Sequence, residues 1–443
     1  MSERITPSPI VAAQRERFSA SRSALPGVGH SAVARRREAG MARFESLGLP
    51  TRKQEAWKYT DLRRLEKLGL NGAVASADAA LPDSLRGFVP AQGPSMVFVN
   101  GRLRPELSHL DALPKGLRLD GYAAALEAGD AEVESRFAAP ADAASLVELN
   151  TALVEDGAVL RIAPGAVIEA PVRLVFLTAP GNAVVASHPR ILVLAGANSE
   201  ATVIEAYHGV EDTGYFTNAV VDVEIGDAAR LRHYRRQSEG LQAVHLLNGS
   251  ATIGRDATYD SFTLSLGADL ARTEVVATFT GRGGNGHVTG AYMADGSRHI
   301  DTTTLIDHAV PDCRSREVFK GVLDGKGRGV FQGKIIVRRD AQRTDGYQLN
   351  RALMLSRTAE IDSKPELEIY ADDVKCSHGA TVGEIDSEAL FYLRARGIDE
   401  RVARAMLVEA FLREALEEIA DEAVREEFGV AVGHWLAARH QEG

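Results

Sequence analysis

The chain has 443 residues, of which 45% are hydrophobic and 25% charged, so it is long enough for two or three domains or for one elongated body with appendages. Its formal net charge of -10 argues against general nucleic-acid binding. The two cysteines, Cys313 and Cys376, are too few for a disulfide framework and indicate a reducing compartment, with the cytoplasm as the default. The N-terminal stretch lacks the apolar core of a signal peptide, and no uncharged apolar run is long enough to cross a bilayer, so we expect neither secretion nor membrane insertion.

Residues 1–145 have a mostly helical pattern, rich in Ala, Leu, Arg and Glu and interrupted by Pro and Gly, which predicts a helical N-terminal domain. Within it, the segment RKQEAWKYTDL (residues 52–62) places Trp57 and Tyr59 among charged residues. Large aromatic side chains usually anchor a small domain. We therefore expect both rings to pack against the main body rather than to bind a ligand.

Residues 146–385 change to short runs rich in Val, Ile, Thr and Leu, each closed by Gly with Asp, Asn or Ala, which predicts strands and turns. Glycines recur there after apolar runs at spacings of 31, 30 and 28 residues, at Gly165, Gly196, Gly226 and Gly254. A near-constant step of this length is typical of a solenoid, and without helices between the strands the solenoid is a β-helix of roughly eight coils. Later turns fit the period less well, so an antiparallel β-sandwich is the alternative.

After this region the pattern becomes helical again, which predicts a helical C-terminal domain over residues 386–443. Its longer helix carries an apolar stripe at helical spacing, formed by Leu407, Val408, Phe411, Leu412, Leu416 and Ile419. We expect part of this stripe to pack on the end of the solenoid. Capping of the β-stack and docking of a partner protein are both consistent with the stripe and its acidic flanks.

Motifs for nucleotide chemistry are weak or missing. GRGGNG (residues 281–286) matches the dinucleotide pattern GxGxxG, but no helix pattern follows it, so we predict a turn between coils. The phosphate-binding pattern GxxxxGK[ST] does not occur, so the chain is not expected to hydrolyse nucleotides by itself.

The stretch DVKCSHGAT holds the most informative residues, Cys376 and His378. In an extended strand, residues two apart face the same side, so the thiol and the imidazole share one direction, and both groups can ligate iron. An iron-sulfur cluster needs about four protein ligands, which this pair and the distant Cys313 do not readily supply. Either the pair is structural, or another chain completes the cluster. His308 and Cys313 could form a second pair, but Pro311 between them indicates a loop, and we expect an ordinary buried cysteine.

A longer segment around this motif, SKPELEIYADDVKCSHGATVGEIDSEALFYLRARGI (residues 363–398), closely resembles the signature region of the SufB/SufD family of iron-sulfur cluster assembly proteins. The segments VFKGVLDGKGRGVFQGKIIV, QLNRALMLS and RKQEAWKYTDL resemble the same family. The motif CSHGAT and the low cysteine count resemble those of the SufD branch. In the SufB branch the motif is closer to CEHEAT, and the chains carry more cysteines.

The resemblance implies a mainly β fold, a right-handed parallel β-helix between helical N- and C-terminal domains, and a scaffold rather than an enzyme. It implies a SufB-like paralogue that docks through the β-helix and a SufC-like ATPase that binds the C-terminal helices. The nascent iron-sulfur cluster would form where the paralogues meet, with His378 as a ligand and Cys376 as a weaker candidate, and none is expected in the isolated chain. Without its partner the chain could form a homodimer. The alternative is a stand-alone β-helix protein that cleaves or binds carbohydrate.

Overall fold

Two long sheets that face each other form the body of the protein. The computed structural model describes residues 8–70, 79–137, 144–181, 184–211 and 213–439. The chain alternates between the sheets, so that each coil contributes one strand to each sheet, and about eight coils stack on one another. The parallel β-helix predicted from the glycine spacing is confirmed, and the β-sandwich alternative is wrong.

Helices precede and follow the β-helix in the chain. Within the described ranges the α-helices are α1 (Pro9–Ser21), α2 (Ser31–Leu47), α3 (Arg63–Lys67), α4 (Asp83–Arg86), α5 (Tyr122–Glu127), α6 (Ala131–Phe137), α7 (Ser145–Leu153), α8 (Ser387–Arg394), α9 (Glu400–Leu416) and α10 (Glu422–Arg439). Short 3-10 helices span Glu55–Trp57 and Pro105–Leu107. None of the helices in these ranges combines the length and the apolar character needed to cross a bilayer.

The strands of the β-helix are about ten residues long in most coils. In chain order they are β1 (Ser95–Val99), β2 (Arg102–Leu103), β3 (Leu117–Gly121), β4 (Gly157–Ile162), β5 (Val172–Thr178), β6 (Ala186–Ser187), β7 (Arg190–Ala195), β8 (Glu200–Gly209), β9 (Phe216–Ile225), β10 (Arg230–Ser238), β11 (Val244–Ile253), β12 (Thr258–Ser265), β13 (Leu270–Phe279), β14 (Asn285–Ala294), β15 (His299–His308), β16 (Arg314–Leu323), β17 (Arg328–Val337), β18 (Thr344–Met354), β19 (Glu360–Ile369) and β20 (Val374–Gly383). Sheet A has the order β2-β1-β5-β8-β10-β12-β14-β16-β18-β20, and sheet B has the order β19-β17-β15-β13-β11-β9-β7-β4-β3, with β6 beside β9.

Three of the regularly spaced glycines, Gly196, Gly226 and Gly254, lie where their coil packs closely on the one below. The backbone N–H of Gly196 donates to the carbonyl of Ile162 in the coil below at 2.9 Å, and that of Gly226 donates to Ala195 at 2.8 Å. A Cβ atom at these glycines would lie 2.8 Å from the Ile162 oxygen and 2.9 Å from the Ala195 oxygen. A side chain would therefore push the coils apart, which explains why glycine marks the repeat.

Side chains in the lumen between the sheets stack from coil to coil. Phe98, Phe176 and Tyr207 occupy one row of sheet A, with ring centroids 4.7 Å and 4.9 Å apart. The strands are parallel and in register, so each residue lies above its counterpart one coil below. Rows of like side chains therefore form the continuous apolar core of the β-helix.

The C-terminal helices lie along the outer face of sheet A. Val408 and Leu412 of α9 and Phe428 of α10 are buried against Tyr234 and Phe262 of the sheet. The prediction that the α9 stripe packs on the end of the solenoid is wrong. Sheet A carries apolar residues on its outer face as well as in the lumen, and covering this face buries that surface.

The N-terminal helices cover the outer face of sheet B in the same way. Trp57 is buried there, and the Arg272 guanidinium lies 4.2 Å from the centre of its ring. Thr60 contacts His299 of β15 through a 2.8 Å hydrogen bond. Trp57 therefore anchors the RKQEAWKYTDL segment to the main body, as predicted, whereas Tyr59 is half-buried.

The two ends of the β-helix differ. At the N-terminal end, β2 and β3 pair antiparallel with β1 and β4 and so close the stack. At the C-terminal end, β19 and β20 form the last coil, and no strand within the described residues pairs with their outer edges. Three strands that precede residue 145, β1, β2 and β3, already belong to the sheets. The domain boundary at residue 145 stays a prediction.

A buried carboxylate, that of Glu205, lies deep in the lumen beside an arginine and a histidine. Glu205 accepts hydrogen bonds from Arg235 Nε at 2.9 Å and from the Tyr207 hydroxyl at 3.0 Å, and it also contacts His233. Burial alone would raise the pKa of Glu205, but Arg235 and His233 hold that pKa well below its usual range. The charge is therefore retained inside the β-helix because it is paired.

A second buried carboxyl group, that of Glu317, has no cation beside it within the described ranges. Its Oε2 accepts a hydrogen bond from Gln348 Nε2 at 2.7 Å. Burial raises the pKa of Glu317 to about 7, and the hydrogen bond from Gln348 opposes this shift only in part. The folded protein therefore favours the protonated carboxyl group. The stability cost of ionisation begins above the ordinary pKa of 4.5 and is complete once the pH exceeds about 7.

The Glu317→Gln variant, which cannot ionise, should show this cost as a pH-dependent gain in stability. We compare the free energy of unfolding of the variant with that of the wild type at each pH. The variant's advantage should be about 2 kcal/mol larger at pH 8 than at pH 5. Urea denaturation at both pH values measures the difference. The control is Glu409→Gln, which removes an exposed carboxylate paired with Arg413 on α9. An equal effect of Glu317→Gln at both pH values would contradict the raised pKa.

Candidate functional site

The stretch DVKCSHGAT forms β20, the last strand of sheet A. It pairs with β18 on one side, and no described strand pairs with its other side. Most of its residues are exposed, in contrast to the buried strands of the coils below. The free edge and the side chains at this end are therefore accessible to another molecule.

Cys376 and His378 lie on the same face of β20, as the spacing predicts. The strand register places Cys376 opposite Gly346 and His378 opposite Gln348. Gln348 is fully buried, and Gly333 of sheet B leaves space for its amide, because a Cβ there would lie 2.3 Å from Gln348 Nε2. Gln348 therefore points into the lumen. Side chains in one row of a parallel, in-register sheet project to the same side, so His378 faces the open end of the lumen.

The two candidate ligands differ in accessibility and in protonation. His378 is exposed, whereas Cys376 is half-buried against the lumen core. A Cβ at Gly346 would lie 3.4 Å from the Cys376 sulfur, so the thiol rests directly on the coil below. Burial raises the pKa of Cys376, which keeps the thiol protonated at neutral pH. Because the thiolate is the form that ligates metal, Cys376 is the weaker of the two candidates.

Two polar residues beneath His378 were not found by sequence reasoning. Gln348 lies opposite His378, and Glu317 lies opposite Gln348 one coil further in. The sequence carries a signal for them, because Gln348 precedes His378 by 30 residues and Glu317 precedes Gln348 by 31. These steps match the glycine spacing.

Cys313 and His308 lie in the buried part of the β-helix and not at its open end. Cys313 is fully buried, with its sulfur 3.5 Å from the Gly281 carbonyl oxygen, and His308 Nε2 lies 2.9 Å from the Ser315 hydroxyl. Burial raises the pKa of Cys313 and lowers that of His308 to about 4. Among the residues that the structure describes, no group of three or more His, Cys, Asp and Glu is arranged to hold a metal ion. Cys313 is a buried core cysteine, as expected.

The GRGGNG stretch is a turn, as predicted. It connects β13, which ends at Phe279, to β14, which begins at Asn285. Gly283 has a φ of 79°, a left-handed conformation that glycine adopts without strain. No helix begins after this turn, so it offers no helix N-terminus to a dinucleotide.

Family models match nearly the whole chain. The model described as "SUF system FeS cluster assembly, SufBD core domain" matches residues 176–411, which contain most of the β-helix together with α8 and most of α9. The model described as "SufBD protein N-terminal region" matches residues 15–174.

Curated relatives are similar over most of their own length. The iron-sulfur cluster assembly protein SufD of Escherichia coli is 33% identical over 88% of this chain and 90% of its own. An iron-sulfur cluster assembly SufBD family protein of Synechocystis is 30% identical over 89% of each chain. One from Mycobacterium tuberculosis is 32% identical over 88% of this chain and 90% of its own. The chain therefore belongs to the SufB/SufD family of iron-sulfur cluster assembly proteins, and within that family it is SufD-like.

Proposed function

We propose that this chain is a non-catalytic scaffold subunit of a cytoplasmic complex, in which it joins a SufB-like paralogue and a SufC-like ATPase. In that complex His378 is one ligand of the nascent iron-sulfur cluster, which is the cargo of the complex. The observation that carries the proposal is the position of His378, exposed on the last strand of a β-helix whose final coil has a free edge. The low cysteine count supports the cytoplasmic location.

The free edge of the last coil suits a sister β-helix. Unpaired backbone groups on an edge strand favour the addition of another strand. Ile369, Tyr370 and Val382 add apolar side chains that are 40%, 61% and 52% exposed. A paralogue of the same fold would bring a matching edge, so we propose that it pairs here. In its absence a second copy of this chain would occupy the same edge.

The side chains at the open end are too few to hold a cluster alone. His378 contributes one imidazole, and Cys376 is a weaker ligand because burial raises the pKa of its thiol. Iron-sulfur clusters are ordinarily held by about four protein ligands. The remaining ligands therefore come from the paralogue, and the cluster site is shared between two chains.

The exposed side of the C-terminal helices suits an ATPase partner. Phe391 and Tyr392 of α8 are 74% and 55% exposed, and Val402 and Met406 of α9 are 47% and 45% exposed. α8 buries none of its residues. Large apolar side chains exposed on adjacent helices are typical of protein interaction sites. This surface is the proposed docking site of the SufC-like subunit.

Ion pairs connect α9 to the same sheet that carries His378. Glu414 of α9 pairs with Lys320 of β16, and Glu418, just after the end of α9, pairs with Arg316 of β16 at 3.1 Å. Only β18 separates β16 from β20. Movement of α8 and α9 by the ATPase would thus reach the open end through sheet A. ATP would shift the complex between two conformational states only if the ATPase binds those two states with different affinity.

The His378→Ala variant tests the ligand role directly. Co-expressed with its partners, the variant should still form the complex, because His378 is exposed on the last strand and is not part of the core. Iron and acid-labile sulfide in the purified complex should fall at least about tenfold because a ligand is lost. The matched control is Ser377→Ala, an exposed neighbour on the opposite face of β20. Normal iron and sulfide in His378→Ala would refute the role.

Charged substitutions in the C-terminal helices test the docking surface. Phe391→Asp combined with Met406→Asp should weaken co-purification of the ATPase at least about tenfold and leave binding of the paralogue intact. Val430→Asp on α10 is the control, because Val430 is 58% exposed and outside this surface. Pull-down of each tagged variant measures both interactions. Unchanged ATPase recovery with the double variant would place the docking site elsewhere.

A further inference from the structure

A row of polar side chains runs inward from His378 into the β-helix. His378, Gln348 and Glu317 lie opposite one another in β20, β18 and β16. Adjacent strands are about 4.8 Å apart, so each side chain lies directly above the next. Gln348 and Glu317 are both fully buried. Val288 of β14 follows in the row, so the polar row ends there.

Glu317 fixes the orientation of the Gln348 amide. Gln348 Nε2 donates to Glu317 Oε2 at 2.7 Å. Because the amide nitrogen is the donor in this bond, the amide oxygen points away from Glu317. Gly333 on the opposite sheet leaves the space in which this amide lies. The hydrogen bond thus orients the amide, and the glycine gives it room.

The Gln348 oxygen is a buried acceptor that lacks a donor. Oε1 is shielded from solvent and has no hydrogen-bond partner among the described residues. Buried carbonyl groups are nearly always paired, because an unmade hydrogen bond is costly in the protein interior. The next side chain along the row is His378, whose imidazole offers an N–H. The donor that the oxygen lacks is therefore available one strand away.

We propose that Gln348 is a positioning residue for His378. Its side-chain carbonyl accepts the N–H of one imidazole nitrogen, which selects one tautomer and directs the lone pair of the other nitrogen toward the open end. Glu317 acts one step further in by holding the amide. A metal-ligating histidine commonly donates its second N–H in this way. The role in assembly rests on the function proposed above, but the hydrogen bond does not.

Histidine side-chain NMR of the isolated full-length chain tests the hydrogen bond. With ¹⁵N-labelled histidine at pH 8, His378 in the wild type should show one predominant tautomer. In Gln348→Met, which replaces the amide with an apolar group of similar size, the signal should shift toward a mixture of both tautomers. Gln348→Asn, which withdraws the carbonyl by one methylene, should shift it in the same direction and provides a milder change should the first variant fold poorly.

The matched control is Asn350→Leu. Asn350 is a fully buried amide on the same strand, but it lies beneath Ala380 instead of His378. The Asn350→Leu substitution should leave the tautomer of His378 unchanged. A mixed tautomer in the wild type, or an unchanged tautomer in both Gln348 variants, would overturn the proposal.

The same variants in the co-expressed complex test the consequence for assembly. Gln348→Met should reduce cluster content about tenfold with the complex intact, and Asn350→Leu should not. Normal cluster content in Gln348→Met would overturn the positioning role. The tautomer measurement needs neither partners nor iron, so it distinguishes failure of this inference from failure of the proposed function, which His378→Ala reports.

Discussion

The backbone edge of the last coil is the constraint on which the rest depends. In the interior of the β-helix each coil satisfies the hydrogen bonds and buries the side chains of its neighbours. For β19 and β20 that neighbour is missing on one side within the described residues. The C-terminal helices do not cover this end, because they pack against the apolar outer face of sheet A instead. The end is left as a surface, and His378 lies on it.

Glu205 and Glu317, two of the buried carboxyl groups of the β-helix, have pKa values shifted in opposite directions. Glu205 is paired with Arg235 and stays ionised, whereas Glu317 has a neutral amide beside it and a pKa raised to about 7. The first arrangement connects two successive coils through β8 and β10. The second lies two strands from the free edge, where an unpaired buried charge costs stability. A buried group with a shifted pKa close to a proposed ligand is typical of functional sites.

Much of the fold follows from the sequence because one physical requirement repeats. Only glycine fits where Gly196 and Gly226 meet the coil below, so the spacing of glycines predicts the stack. The same step would have placed Gln348 beneath His378, but the site was interpreted as a local motif. The location of the α9 stripe could not be predicted, because periodicity shows which face of a helix is buried and not what covers it. The ligand set also could not be predicted, since in the proposed function it depends on another chain.

Hydrogen exchange of β19 and β20 tests the central claim most directly. If a SufB-like paralogue completes the last coil, the amides of these two strands should exchange much more slowly in the complex than in the isolated chain. Amides of β11 and β13, which already have strand partners on both sides, should change little. Equal exchange of β19 and β20 in the isolated chain and in the complex would contradict the claim that a sister subunit pairs with this edge.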